Sequence, residues 1–212
     1  MKRLWLMKTA AGAVLVAGMI SGCGTLKKAY PEKRCFVLEA ARTNAALPAS
    51  CAGAALAVRA FTLPPVNKGA EFVYRFGGQE WTADFYHVFF ISPEQLLADA
   101  TEKWISASGV FGEVIPFSSR VQPGLVLEGY VTDLYGDYSD RERASAVMGI
   151  EFILLDESRA GSRILFHKTY RQRVDLAARS ADLLVLGWDG ALEKILEGLE
   201  IDLGQACAAR AP

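Results

Sequence analysis

The sequence predicts an α+β domain in which two main helices pack on one side of a mostly antiparallel sheet. Aromatic and β-branched stretches alternate with turn residues, one helix in the middle of the chain has clear start and stop signals, and a second apolar helical face lies near the end. The 212 residues carry 23 Lys and Arg against 24 Asp and Glu. This balance gives no indication of nucleic-acid binding.

Four strands are predicted before the first helix. Two short strands cover residues 35–39 and 54–63, and a Pro-Pro pair that cannot continue a ladder ends the second one. Residues 71–76 and 80–90 are aromatic and β-branched on either side of a Gly-Gly pair, which is the pattern of a β-hairpin. This hairpin is the most distinctive local feature of the chain.

The first helix is predicted to begin after Ser92. Ser92 is expected to be the N-cap residue, Pro93 occupies the first helical position, and Gln95 completes a capping box. Gly109 provides the stop signal. The predicted buried face consists of Leu97, Ala100, Trp104 and Ser108.

Four more strands are predicted over residues 110–116, 124–134, 143–155 and 163–174. Polar segments make the turns between the last three, which are expected to be consecutive antiparallel neighbours. One face of the strand over 143–155 is predicted to carry Ala144, Ala146, Met148, Ile150, Phe152 and Leu154. A final helix starts near Ser180, and its predicted buried face consists of Leu184, Trp188, Ala191, Leu192, Ile195 and Leu199.

The start of the sequence is typical of a secretion signal that ends in a lipobox. Three basic residues precede the apolar run 10–20, and two small residues come directly before Cys23. In bacterial lipoproteins, which this segment resembles, the cysteine receives a diacylglyceryl thioether and an N-acyl chain. The alternative is an uncleaved membrane anchor, but the run is shorter than the roughly 20 residues that a spanning helix needs.

The predicted chain therefore has four parts. Residues 1–22 are the lipoprotein signal peptide, 23–34 the lipidated N-terminus and a basic tether, 35–204 the domain, and 205–212 a C-terminal tail. Gly24 stands where an acidic residue would signal retention in the inner membrane, so we expect an outer-membrane lipoprotein on the periplasmic face. Removal of the signal leaves 20 Lys and Arg against 24 Asp and Glu.

Three further cysteines would meet an oxidising compartment after export. Cys35 and Cys51 flank a strand and a loop of small residues, and a disulfide between them would fasten this loop. Cys207 would then be a free thiol in the tail. The cysteine spacings match no zinc pattern. We expect no metal and no cofactor other than the covalent lipid on Cys23.

No catalytic motif is found in the sequence. It contains no Gly-rich phosphate loop, no G-x-S-x-G elbow and no H-E-x-x-H. His87 lies among aromatic residues in a predicted strand, where a structural role is the more common one. Asp133, Asp137 and Asp140 would gather a cation only if their turn folded back, and a solvated turn is the favoured alternative. The sequence therefore predicts a binding or scaffolding protein and not an enzyme.

Candidate binding residues lie in the predicted hairpin. We hypothesise an Arg75–Asp84 ion pair across its strands, and the alternative is that both side chains are solvated. The aromatic side chains would form a surface for an apolar ligand or a partner protein, or else would pack in the core. The candidates are Tyr74, Arg75, Trp81, Asp84, Tyr86 and Phe89, with Phe90 beside them.

The order of these features resembles a known family. After the lipobox and a first strand come the stretches 56–61 (LAVRAF), 72–75 (FVYR) and 84–89 (DFYHVF), and then Ser92-Pro93 before the capped helix. In this order they look like the ABC-type transport auxiliary lipoproteins, which are the lipoprotein partners of MCE-type lipid transporters such as the Pqi system. The similarity covers residues 36–199.

The resemblance implies a non-catalytic periplasmic subunit that helps a transporter to move phospholipids or other hydrophobic molecules between the two membranes. Its expected partners are an MCE-domain periplasmic protein and the permease and ATPase of an ABC transporter, and ATP hydrolysis would belong to the separate cytoplasmic subunit. A homo-oligomer is compatible with the analogy, because such transporters are built on rings.

Two rival hypotheses stay open at the level of sequence. One is an envelope assembly or integrity lipoprotein that binds outer-membrane or cell-wall assembly proteins. The other is a soluble lipid-carrying chaperone, which would need a hydrophobic cavity. The transport hypothesis differs from both because it requires binding to an MCE-type protein.

Overall fold

The computed structural model describes residues 31–67, 69–158 and 161–209. The predicted signal peptide, the lipidated Cys23 and most of the predicted tether therefore lie outside the described residues. Among the helices in the described ranges, none is both long and apolar enough to cross a bilayer.

The described domain contains eight strands and two long helices. The strands are β1 (Arg34–Phe36), β2 (Cys51–Val58), β3 (Glu71–Gly77), β4 (Glu80–Phe89), β5 (Phe111–Pro116), β6 (Leu125–Asp137), β7 (Ala144–Asp156) and β8 (Arg163–Leu176). The helices are α1 (Pro93–Ser108) and α2 (Ala181–Ala208), and one turn of 3-10 helix covers Pro65–Asn67. The predicted fold class is confirmed.

The long strand β6 organises the sheet. β7 pairs with it antiparallel along its whole length, and β8 pairs antiparallel with β7, as predicted. On its other side β6 is parallel to β2 near its start and to β3 near its end. β5 extends the sheet beyond β2, and β4 followed by β1 extends it beyond β3. The sheet is thus mostly antiparallel, with short parallel pairings that local sequence patterns do not predict.

Both helices cover the same face of the sheet. Their apolar faces form one buried cluster with the inward side chains of the strands, which include all six side chains predicted for one face of β7. The predicted face of α2 is confirmed as well, because Leu184, Trp188 and Leu199 are fully buried. Neither helix covers the opposite face, which is called the open face below.

Helix α1 starts and ends where the sequence predicts, but its first turn is capped differently. Pro93 occupies the first turn, and Gly109 ends the helix with a left-handed φ of 78°. The Ser92 side chain makes no capping hydrogen bond. Its backbone carbonyl instead accepts hydrogen bonds from the N–H groups of Gln95 and Leu96, both at 3.1 Å. The predicted capping box is therefore wrong, because the carbonyl of Ser92, and not its hydroxyl, receives the first helical donors.

Helix α2 is longer than predicted and changes the disulfide pairing. Its 28 residues span about 42 Å and continue past residue 204. Its last turn buries Cys207, which is bonded to Cys51 at the start of β2 with Cα atoms 5.4 Å apart. Cys35 is an exposed free thiol. The predicted Cys35–Cys51 bridge and the free Cys207 are wrong, because β1 and β2 are separated in the sheet by three other strands.

The segment between β1 and β2, residues 37–50, is called the N-terminal strap. The strap lies alongside helix α2, and two carboxylates of the helix accept hydrogen bonds from the strap backbone. The N–H of Glu39 donates to Asp189 at 2.9 Å, and the N–H of Ala41 donates to Glu193 at 3.0 Å. These bonds satisfy backbone donors that no sheet ladder uses.

The strap is also held by a buried ion pair. The Nε of Arg42 lies 2.8 Å from an oxygen of Glu200, and both side chains are buried. The same oxygen accepts the indole N–H of Trp104 on α1 at 2.7 Å. The remaining nitrogens of the guanidinium donate to the carbonyl oxygens of Asn44 at 2.6 Å and Ala45 at 2.7 Å. This network joins both helices to the strap.

Gly187 marks a close approach of α2 to the sheet. A Cβ atom there would lie 2.7 Å from the Cβ of Ala146 and 2.7 Å from a methyl carbon of Leu176. We therefore expect Gly187→Ala to lower the free energy of unfolding by about 1–3 kcal/mol, because the helix must move away from the strands. A Cβ at Gly190 of the same helix would meet nothing within 4 Å.

Gly190→Ala is therefore the matched control. We expect it to raise the free energy of unfolding by up to about 1 kcal/mol, since alanine is the better helix former. Urea unfolding measures both variants. Equal stability of the two would contradict the close packing at Gly187.

Candidate functional site

The predicted hairpin forms, but its candidate residues do not share one surface. Tyr74 and Phe89 are buried in the core under the helices. Trp81 is 40% exposed, Phe90 is largely exposed, and Tyr86 is half-buried. The two alternatives therefore each hold for some of the rings: Tyr74 and Phe89 pack in the core, and Trp81 and Phe90 are exposed, because alternation along the strands sends side chains to opposite faces.

Asp84 is the hydrogen-bond centre of a bulge in β4. One carboxylate oxygen accepts the backbone N–H groups of Tyr86 at 2.8 Å and His87 at 3.2 Å. The other accepts the Tyr74 hydroxyl at 2.9 Å and contacts Nδ1 of His87 at 2.6 Å. Burial raises the pKa of Asp84, but these hydrogen bonds outweigh burial and leave the pKa below its ordinary value. The predicted Arg75–Asp84 ion pair is wrong, since Asp84 bonds to its own bulge and to the hydroxyl of Tyr74 on β3.

Arg75 forms its ion pair across the sheet. The parallel register of β3 and β6 places it beside Asp137, and the two side chains are 2.6 Å apart from Nη2 to Oδ2. Arg173 of β8 reaches the same oxygen at 2.7 Å. The guanidinium of Arg75 also lies over the ring of Tyr135, 5.0 Å from its centre. Three strands thus contribute to one group of side chains.

Tyr135 extends this group over the open face. The indole of Trp81 packs edge-on against its ring, with centroids 4.9 Å apart. Arg171 donates to the Tyr135 hydroxyl at 3.2 Å and to Asp133 at 3.1 Å. The open-face cluster is defined as Arg75, Trp81, Tyr135, Asp137, Arg171 and Arg173.

The carboxylate of Asp137 fixes the charges of the open-face cluster. Asp137 is only 1% exposed. Burial raises the pKa of Asp137, but hydrogen bonds from Ser139, Arg75 and Arg173 outweigh burial and hold the pKa well below its usual range. The carboxylate is therefore ionised at neutral pH and holds two guanidinium groups in place. The cluster presents arginine edges and an indole to solvent, which are side chains enriched at protein interfaces.

The three aspartates near the β6–β7 turn do not gather a cation. Asp133 pairs with Arg171, Asp137 pairs with two arginines, and Asp140 accepts the backbone N–H of Glu142 at 2.9 Å. In the part of the chain that the structure describes, no group of three His, Cys, Asp or Glu side chains is placed to hold a metal ion. Asp140 is exposed in the turn, as the favoured alternative expects. Asp137 is not solvated, because it is buried at the end of β6.

A groove of about 390 Å³ runs between the N-terminal strap and α1. The strap contributes residues 37–41, and the helix contributes Leu96, Asp99, Ala100 and Lys103. The volume is near the lower end of the range for ligand pockets, roughly 300–1,000 Å³. The strap thus has two neighbours: its backbone donates hydrogen bonds to α2, and its side chains line a groove with α1.

Asp189, whose carboxylate accepts the backbone N–H of Glu39 in the strap, has a raised pKa. Burial is the main cause, the charges of Glu39 and Glu193 add to it, the backbone hydrogen bond of Glu39 opposes it, and the pKa of Asp189 rises to about 6. The folded state therefore binds this proton more tightly than the unfolded chain does. Asp189 adds stability as the pH falls from 7 through 6, and this contribution is lost as the pH rises again.

We expect Asp189→Asn to remove this part of the pH dependence. The amide oxygen still accepts the Glu39 N–H but carries no buried charge, so the free energy of unfolding at pH 7 should rise by about 1 kcal/mol, a value reduced for screening at a half-buried site. Urea unfolding at pH 5 and pH 7 measures the change. Asp99→Asn removes an exposed carboxylate from the groove between the strap and α1 and should retain the wild-type difference. An unaltered difference in Asp189→Asn would refute the assignment.

Comparison with known proteins identifies the fold. Protein XCC0632 from Xanthomonas campestris, described with the family DUF330, superimposes with a TM-score of 0.66 at 15% sequence identity, over 82% of this chain and 95% of that chain. The chain has the fold of a DUF330 protein. A second solved structure, of an uncharacterized protein, has a TM-score of 0.60 at 13% identity over 76% of this chain and 99% of that chain.

A weaker likeness connects the chain with the PelC dodecamer from Paraburkholderia phytofirmans, with a TM-score of 0.43 at 14% identity over 78% of this chain and 95% of that chain. No family model matches the sequence, and no curated protein matches it. The similarity to the DUF330 protein is thus a similarity of fold.

Sequence reasoning missed three residues of the open-face cluster: Tyr135, Arg171 and Arg173. Arg171 and Arg173 lie on a predicted strand, Tyr135 lies just past the predicted end of another at residue 134, and all three fall on the face away from the helices. The signal available was the row of basic side chains Arg163, His167, Arg171 and Arg173 at even spacing in residues 163–174. Their meeting with the hairpin depends on the parallel pairing of β3 with β6, which no local pattern indicates.

Proposed function

We propose that this protein is a lipoprotein anchored on the periplasmic face of the outer membrane, where it is a non-catalytic auxiliary component of an ABC/MCE-type transporter. The transporter would move phospholipids or other hydrophobic molecules across the cell envelope. The observation that carries this proposal is the fold shared with the DUF330 protein over 82% of the chain. DUF330 is the ABC-type transport auxiliary lipoprotein family.

The sequence supports the anchored location. The lipobox that ends at Cys23 provides a site for two covalent lipids, and one chain alone would give only marginal membrane binding. The same sequence contains no phosphate-binding loop. In this proposal ATP hydrolysis belongs to a separate cytoplasmic subunit, and the partner in the periplasm is an MCE-domain protein.

The open-face cluster is the proposed contact for that partner. Tryptophan, tyrosine and arginine dominate the binding energy of protein interfaces, and they act best when their geometry is fixed before binding. Here the buried carboxylate of Asp137 holds Arg75 and Arg173, and Tyr135 supports both Arg75 and Trp81. The exposed edges of the arginines would suit carboxylates of the partner.

The test is affinity purification of the full-length lipoprotein from membranes in mild detergent, with identification of co-purified proteins and lipids. We expect an MCE-domain protein to be recovered. The Cys23→Ala variant, which lacks the lipidation site, should be lost from the membrane fraction. Trp81→Ser should reduce recovery of the MCE-domain protein by about tenfold.

Phe117→Ser is the matched control, because Phe117 is a similarly exposed aromatic residue that follows β5 and packs against Arg59 instead. It should leave recovery of the partner unchanged. Recovery of outer-membrane or cell-wall assembly proteins without any MCE-domain protein would refute the transport role and favour the assembly hypothesis.

A further inference from the structure

The edge of the sheet at which the chain enters the domain carries unusually exposed apolar side chains. Phe85 and Phe90 are each 71% exposed, which is the highest value among the exposed large hydrophobic side chains of the described residues. Val37 is 43% exposed beside them. The tether-side patch is defined as Lys33, Cys35, Val37, Phe85 and Phe90.

The parallel pairing of β1 with β4 brings these residues together. Cys35 lies beside Val88 in the register, and the backbone N–H of Phe90 donates to the carbonyl of Phe36 at 2.7 Å. Because side chains alternate along strands, Cys35 lies on the same face as Val88. Val37 and Phe90 directly follow the last register pair, Phe36 and Phe89, and are therefore neighbours on adjoining chains, where Val37 also lines the groove beside α1.

Phe85 is held outward by the bulge in β4. Asp84 accepts two backbone N–H groups and two side-chain contacts within this bulge. The Phe85 ring contacts the Tyr86 ring edge-on, with centroids 5.3 Å apart, and the Lys33 ammonium lies 5.7 Å from its centre. The hydrogen bonds of Asp84 fix the bulge and therefore hold Phe85 in its exposed position. A phenylalanine that stays exposed does not gain the free energy that burial of its ring would provide.

The length and charge of the preceding segment point to the occupant of the patch. Lys33 and Cys23 are ten positions apart in the sequence, so their two Cα atoms can be at most about 35 Å apart. Residues 24–34 contain four basic side chains, Lys27, Lys28, Lys33 and Arg34, against the single acidic Glu32. Basic residues near a membrane surface are attracted to anionic lipid headgroups. The tether-side patch is the first part of the domain that such a segment reaches.

We propose that the tether-side patch lies on the phospholipid surface, with Phe85 and Phe90 at the boundary between headgroups and acyl chains and Lys33 beside the phosphate groups. The bilayer itself is the partner of this patch. The inference rests on the proposed lipid anchoring at Cys23, and it adds a second, non-covalent contact that fixes how the domain stands on the membrane. Aromatic side chains at this depth are typical of interfacial membrane binding.

The exposed thiol of Cys35 provides the measurement. Cys51 and Cys207 are bonded to each other and lipidation occupies Cys23, so a maleimide fluorophore on the mature protein would attach at Cys35. The lipidated protein is inserted into vesicles of phosphatidylethanolamine and phosphatidylglycerol, and quenching by bromine-labelled lipids is compared with quenching by aqueous iodide. We expect the lipid quencher to be the more effective one by several-fold.

The double variant Phe85→Ser and Phe90→Ser should reverse this preference while the protein stays anchored. Phe117→Ser should not change this preference, because Phe117 follows β5, and β5 is separated from β1 in the sheet by β4, β3, β6 and β2. A fluorophore at Gln122→Cys in a Cys35→Ser background samples the exposed segment after β5 and should be quenched by iodide. Mass spectrometry of the lipidated peptide at Cys23 accompanies each measurement.

Two results would overturn the inference in distinguishable ways. A protein that is lipidated at Cys23 but whose Cys35 probe is quenched by iodide and not by lipid would overturn the tether-side patch and leave the anchored location intact. A mature protein without lipid on Cys23 would overturn both.

Discussion

Glu200→Ala is expected to lower the free energy of unfolding by about 3–5 kcal/mol, because it removes one partner of a buried ion pair. Glu200 is only 3% exposed, and its carboxylate accepts Arg42 at 2.8 Å and the Trp104 indole at 2.7 Å. Without it, the guanidinium charge is buried with only carbonyl oxygens around it and the indole N–H loses its acceptor. Urea unfolding monitored by tryptophan fluorescence measures the loss.

A matched control and a double variant identify the cause. Lys168→Ala breaks the Lys168–Asp202 pair, whose lysine is half exposed, and should cost no more than about 1 kcal/mol. Arg42→Met combined with Glu200→Leu removes both buried charges and should be more stable than Glu200→Ala alone. A cost for Glu200→Ala no greater than for Lys168→Ala would show that this network does not stabilise the fold.

Loss of the Cys51–Cys207 disulfide is expected to have an effect of similar size. The two residues are 156 positions apart in sequence, and the loop-entropy relation assigns a bond of this span about 5 kcal/mol. We expect Cys51→Ala to lower the free energy of unfolding by about 3–5 kcal/mol, because the unfolded chain gains the freedom that the bond removes. Urea unfolding under oxidising conditions is the measurement.

Reduction provides an independent check on the same bond. Dithiothreitol should destabilise the wild-type protein by a similar amount and should leave Cys51→Ala unchanged. Cys35→Ala, which removes the exposed thiol, should behave like wild type. If Cys35→Ala were as damaging as Cys51→Ala, the Cys35–Cys51 pairing expected from the sequence would be the correct one.

Local patterns predicted the elements because periodicity reports burial directly. The alternation in β7 and the three-four spacing in α2 correctly identify which side chains face the core. The length of α2 was underestimated, although Leu199, Leu203 and Cys207 continue the same buried face at intervals of four residues. That spacing was the available signal for a buried Cys207.

Long-range pairings were not predictable in the same way. Arg75 is bonded to Asp137, 62 residues away, and this pair depends on a parallel contact between strands that are not consecutive in the chain. The ion pair expected with Asp84 relied on the hairpin register alone. In the observed register Arg75 lies opposite Trp81, and Asp84 uses its oxygens to hold the bulge in β4. The open-face cluster is therefore a product of sheet order, which a single sequence does not encode locally.

The N-terminal strap has a consequence for how the domain bears mechanical load. β1 and the strap contact α2 in the order of the sequence, from Arg34 of β1 with Asp182, through Glu39 with Asp189, to Arg42 with Glu200. A pull on the chain from its N-terminal side would have to break these contacts one after another. Unravelling would then stop at Cys51, where a covalent bond ties the strand to the last turn of α2. Force on the N-terminal side would thus be carried through β1 and the strap to the opposite end of the polypeptide before β2 and the strands beyond it are loaded.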